Sequence, residues 1–120
     1  MDFQERSDFQ ERGVFKERLL RLLEPERFRT WLARRNPTDV VGYAQHPAGC
    51  PVANYLKASG MGGARVDMDR VFAWDLAGGV CVKSPAWLWR FIYTIDTRDR
   101  LTVTAGDALA VLELVENLEA

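Results

Sequence analysis

The chain of 120 residues is 48% hydrophobic and 28% charged, the size and balance of one compact domain. Its 16 Lys and Arg against 17 Asp and Glu leave a net charge of -1, which excludes attachment to nucleic acid or an anionic membrane through bulk charge and leaves only local patches for it. Two cysteines and no long repeat exclude a disulfide scaffold and a solenoid, and the lack of a long apolar run, at the start or later, predicts a cytoplasmic protein that does not enter a membrane.

Asp2-Phe3-Gln4-Glu5-Arg6 recurs as Asp8-Phe9-Gln10-Glu11-Arg12. Six residues of helix turn through about 600°, so Phe3, Phe9 and Phe15 would face three ways and could not share one apolar stripe. The repeat therefore predicts a flexible tail over residues 1–13, broken off at Gly13, ahead of a single domain over residues 14–120. Phe15, Leu19, Leu22 and Leu23 recur with helical spacing and predict a helix over 14–24. Pro25 resets the chain into a second helix over 25–36, carrying Phe28, Trp31 and Leu32 and ended by Asn36-Pro37. Residues 38–49 are too punctuated for more than a loop with one short strand, Val40-Val41-Gly42-Tyr43. Pro51 then opens a helix over 51–59, with Gly60 placed to cap its end.

Residues 64–74 alternate, with Val66, Met68, Phe72 and Trp74 on one face, and predict a strand that returns through a Gly78-Gly79 turn as a second strand over 80–83. Ser84-Pro85 predicts an N-cap and a first-turn proline for a helix over 85–97, apolar nearly all round. Leu101-Thr102-Val103 reads as a short strand. Thr104 and Asp107 then form a capping box ahead of a helix over 105–118, with Val111, Leu114, Val115 and Leu118 turned inward. The expected class is α+β, a small antiparallel hairpin covered by helices.

Segment 15–36 holds seven Lys and Arg against three Glu, whereas residues 101–120 carry Asp107, Glu113, Glu116 and Glu119 with no base. The two segments are expected to face each other, within one chain or across a homodimer. The acidic last helix opposes a duplex-DNA reading of residues 85–118 as a helix-turn-helix. His46, Cys50 and Cys81 have the residue types of a zinc site or a thiol enzyme but lack Cys-x-x-Cys spacing, so they are expected to be two buried free thiols and a loop histidine. No metal and no cofactor is implied.

The absence of a catalytic constellation and the abundance of aromatic and Arg residues point to a small cytoplasmic binding module, of accessory or inhibitor type, that occupies a partner protein's surface. The other reading is a binder of small anionic, nucleotide-like ligands, in which Arg34 or Arg35 grips the anion and Tyr43, Trp87 or Trp89 stacks on a ring. The candidate site residues are thus Arg34, Arg35, Tyr43, His46, Trp87 and Trp89, of which Trp87 and Trp89 cannot both face inward from one helix.

Overall fold

A computed structural model describes the backbone of residues 3–119 and the side chains of residues 12–118. Among the described residues five helices and five strands follow one another as α1 (Phe3–Leu22), α2 (Pro25–Ala33), β1 (Val40–Tyr43), α3 (Pro51–Ala58), β2 (Gly63–Val66), β3 (Arg70–Asp75), β4 (Gly78–Lys83), α4 (Ala86–Asp96), β5 (Thr102–Thr104) and α5 (Ala105–Glu119). The strands form two antiparallel sheets, β1-β5 and the meander β2-β3-β4, so the class is α+β as expected. Among the described residues no helix is long and apolar enough to cross a membrane.

The helix expected from residue 14 starts earlier, at Phe3, and Gly13 lies inside it. Much of the expected tail, namely residues 1 and 2 and the side chains up to residue 11, lies outside the described residues. Arg12 is described: its guanidinium donates to both carboxylate oxygens of Asp75, at 2.9 and 3.0 Å, pinning α1 to the tip of the β3-β4 hairpin. Beyond it, Phe15, Leu19 and Leu23 enter the core. The second helix stops at Ala33 rather than residue 36. Pro37 disfavours helical backbone at Asn36, and the Asp39 carboxylate instead accepts the Asn36 N–H at 3.2 Å in a separate turn.

Phe28 of α2 is the hub of the core, with ring centroids of Tyr55, Phe91 and Trp87 at 5.3, 5.4 and 5.9 Å. Helix α3 begins on an unusual cap, for the Cys50 sulfur accepts the Ala53 N–H at 3.4 Å. It ends as anticipated at Gly60, where a φ of +102° lets Met61 N–H reach back to the Leu56 carbonyl.

The single strand expected over 64–74 is two strands. Asp67-Met68-Asp69 turns the chain, with the Asp67 N–H donating to the Arg70 carbonyl at 2.9 Å, and Val66 pairs with Val71. The turn shifts the alternation by one, so Val71 and Ala73 face the core while Phe72, Trp74 and Met68 do not. The expected hairpin is thus a three-stranded meander.

Ser84 is not the N-cap of α4. It is buried, its N–H donating to the Asp69 carbonyl at 2.9 Å and its hydroxyl to the Asp67 carbonyl at 3.3 Å, while Pro85 takes the cap position. Helix α4 turns Trp87, Leu88, Phe91, Ile92 and Ile95 inward and Trp89 and Tyr93 outward. The capping box of α5 forms in both directions: Asp107 N–H donates to Thr104 Oγ1 at 3.1 Å and Thr104 N–H to Asp107 Oδ2 at 3.2 Å. That phase buries Ala108, Val111, Leu112 and Val115 and leaves Leu114 and Leu118 exposed, against expectation. Arg29 of α2 pairs with both Glu26 and Glu116, so the basic and acidic segments meet within one chain.

Candidate binding cleft

Three segments with no helical or strand order of their own converge beside α4: the loop after β1, the 67–69 turn and the Ser84-Pro85 entry. Each is fixed by backbone hydrogen bonds. Gln45 sits at a φ of +62°, a conformation non-glycine residues seldom adopt, and Asp96 holds it there. Its carboxylate accepts the Gln45 N–H at 2.7 Å and its backbone carbonyl accepts Gln45 Nε2 at 3.1 Å. The Pro47 carbonyl accepts the Val66 N–H at 2.9 Å, joining the loop to β2, and Ser84 joins the turn to α4.

Between them lies a cleft of about 180 Å³ lined by the buried Val66 and Ile92, the exposed His46 and Met68 and the half-buried Asp67 and Asp96. Across Met68 a shallower, almost wholly apolar hollow of about 260 Å³ continues it to Asp69, Lys83 and Trp89. Tyr93, one turn beyond Trp89 on the same face of α4, is 55% exposed, and Met68 and Trp89 are 45% and 40% exposed. On the loop side the Tyr43 and His46 rings lie 6.1 Å apart between centroids.

Of the candidate residues, Tyr43, His46 and Trp89 therefore belong to one surface. Trp87 does not: it is buried in the core, and its indole N–H donates to the Leu23 carbonyl at 3.0 Å, so it has no face free to stack on a ligand. Arg34 and Arg35 lie elsewhere, at the end of α2, where the Arg35 guanidinium stands 4.6 Å from the centre of the Trp31 ring. An open groove of about 320 Å³ near Arg34 is lined also by Trp31, Arg27 and Tyr55. Met68, Gln45 and Asp96 on the lining, and the exposed Tyr93 beside Trp89, are the residues of this surface that sequence reasoning passes over. Tyr93 is signalled by its i+4 spacing from Trp89; Gln45 and Asp96, 51 positions apart, have no sequence signal.

Cys50 also lines the cleft, but its sulfur caps α3, and burial pushes the thiol up to about 11 against the hydrogen bonds from Ala53 and Val52 that favour the thiolate. Near neutral pH it is a protonated thiol beside His46, opposite to what nucleophilic catalysis requires. Cys81 is exposed on β4 rather than buried, its sulfur 3.9 Å from Arg70 Nη1. Among the described residues no three His, Cys, Asp or Glu side chains gather as a metal site.

No protein-family model matches the chain, and no curated protein or solved structure matches it.

Proposed function

We infer that the protein is a small cytoplasmic binding module that holds a basic segment of a partner protein against the cleft beside α4. The observation that carries the reading is the composition of one surface. Asp67, Asp69 and Asp96 share a lining with the apolar Val66, Ile92 and Met68, with Trp89 at one end and the His46 ring, tilted against Tyr43, at the other, and Lys83 is the ammonium on that lining. Carboxylates beside aromatic faces are the chemistry that recognises guanidinium and ammonium groups, and Trp89 already carries the Arg90 guanidinium 5.4 Å from its ring centre. The segments that form the cleft are tied to one another by the Gln45–Asp96, Pro47–Val66 and Ser84–Asp67 hydrogen bonds, which lowers the ordering cost of binding. The exposed free thiol of Cys81 suits a reducing compartment.

The test is an NMR titration with nona-arginine and, separately, nona-glutamate. The expected result is that nona-arginine alone shifts the Trp89 indole, the Gln45 amide and the Met68 methyl, and that Asp67→Asn with Asp69→Asn weakens the binding about tenfold. Shifts centred elsewhere, or equal responses to both peptides, would overturn the reading.

A second reading, a small anionic ligand at the end of α2, is favoured by the stacking of Arg35 on Trp31 beside the groove that Arg34 lines. Under it, millimolar pyrophosphate or a nucleoside triphosphate raises the melting temperature and Arg34→Ala abolishes the rise. No rise at saturating ligand would dispose of it.

A further inference from the structure

The outer face of the β2-β3-β4 meander is a second surface, which meets the cleft only along one border, where Lys83 also lines the apolar hollow and Arg65 pairs with Asp67. Its composition follows from the register. Gly63, Trp74 and Gly79 lie side by side across the three strands, Arg65, Phe72 and Cys81 form the next row, and Arg70 and Lys83 the one after it. These are the positions that alternate with the buried Ala64, Val66, Val71, Ala73 and Val82, so they share the side turned away from the core. Arg65, Arg70, Trp74, Cys81 and Lys83 are exposed there and Phe72 is partly so.

Trp74 is set in an unusual way. A Cβ at Gly63 would fall 2.1 Å from Trp74 Cε2, so the indole lies down on the sheet in the space that glycine leaves, and Gly79 leaves its other side low. The outcome is a flat ring, 44% exposed, with Phe72 next on that face of the strand, Arg65 beside Phe72, and Arg70 and Lys83 in the row beyond. Arg65 is engaged through Nε with Asp67 at 3.3 Å.

We propose that this sheet face binds single-stranded nucleic acid, two bases stacking on Trp74 and Phe72 while Arg65, Arg70 and Lys83 neutralise the phosphates. The flat exposed Trp74 ring, with the half-exposed Phe72 beside it, suits planar partners, and the cationic side chains suit an anionic backbone; unpaired nucleotides supply both, whereas the bases of a duplex are already stacked on each other. An acidic peptide would satisfy the charges and leave the indole face without a role.

Cys81 provides the readout, because it lies beside Phe72 in the middle row of the face, on β4, and the chain's other thiol, Cys50, is buried. Alkylation of Cys81 by iodoacetamide, an uncharged reagent, is to be timed with and without oligo-dT and oligo-U dodecamers, alongside fluorescence anisotropy of the same oligomers at 50 to 200 mM salt. The expected result is several-fold protection of Cys81, and a binding constant that falls with salt with a logarithmic slope of about -2, as for three neutralised phosphates on a single strand. Trp74→Ala should weaken binding roughly tenfold. Arg70→Glu with Lys83→Glu, both at exposed positions, should abolish it without change in the circular dichroism spectrum. Absence of binding at 50 mM salt, equal binding of duplex DNA, equal protection by poly-glutamate, or indifference to the double charge reversal would each overturn the proposal; in the poly-glutamate case the face would belong to an acidic protein surface instead.

Discussion

Gly42 has no room for a side chain, since a Cβ there would lie 2.5 Å from the backbone nitrogen of Pro51 and 2.8 Å from the Gly49 carbonyl oxygen. This close approach seats the start of α3 on β1 and so shapes the loop that carries Gln45 and His46. Gly42→Ala should therefore cost more than about 2 kcal/mol in denaturant unfolding, because backbone rather than a flexible side chain would have to move. Two other buried groups make stability depend on alkaline pH. Burial raises Cys50 from 9.0 to about 11, and raises Tyr55 from 10.0 to about 12, with Arg27 opposing the second shift and Glu24 adding to it. Tyr55 also needs its proton to donate to the Leu22 carbonyl at 2.7 Å. Both groups hold their protons more tightly folded than unfolded. The stability this supplies is complete below pH 9 and is lost as the pH rises through 11 and 12. The melting temperature should fall across that window; Cys50→Ser, which keeps a capping acceptor but does not titrate there, should remove the lower part of the fall, and Tyr55→Phe the upper part. A profile unchanged by both substitutions would mean that other groups set the alkaline limit.

Gly13 lies within α1, is exposed, and has nothing within 4 Å of the position a Cβ would take. Gly13→Ala should stabilise the protein by about 0.5–1 kcal/mol, read as a higher melting temperature, since the helix gains an alanine at no steric cost. Where sequence reasoning reads Gly13 as a break, it weighs a local preference of this size, which a long helix anchored through Arg12 overrides. Local patterns held at the Pro25 and Pro51 starts, the Gly60 stop and the Thr104–Asp107 box, and missed at the Ser84 cap, the end of α2 and the inner face of α5. They failed on β2 and β3. A turn of three residues left the apolar spacing intact and moved Phe72 and Trp74 from the expected inner face to the outer one. The cleft was half legible for a related reason: exposure of Trp89 follows from the crowding of aromatics on one helix, but its meeting with Tyr43, His46 and Met68 depends on contacts among three segments distant in sequence.

At the scale of the whole molecule the charge asymmetry along the chain closes on itself through Arg29, which joins α2 to α5 by way of Glu116. Glu116→Lys should lower stability by about 1 kcal/mol and leave the mass in light scattering unchanged; a change in mass without loss of stability would instead place the pair between copies. Phe91, fully buried at the junction of α4 with the Phe28 cluster, should cost about 3–5 kcal/mol on truncation to alanine. The β1-β5 ladder has a kinetic consequence. Val40 pairs with Thr104 across some sixty residues of chain, whereas the β2-β3-β4 meander closes through turns of a few residues. Closing the longer loop costs entropy before any contact repays it, so the meander should assemble first and the two-stranded ladder last. Val103, buried at the centre of that ladder, should then make its contacts after the folding barrier. Val103→Ala should leave the refolding limb of a chevron nearly unmoved while speeding the unfolding limb, and Val71→Ala in the meander should do the reverse. The lifetime of the folded state, as distinct from its stability, would then be governed by three residues of β5.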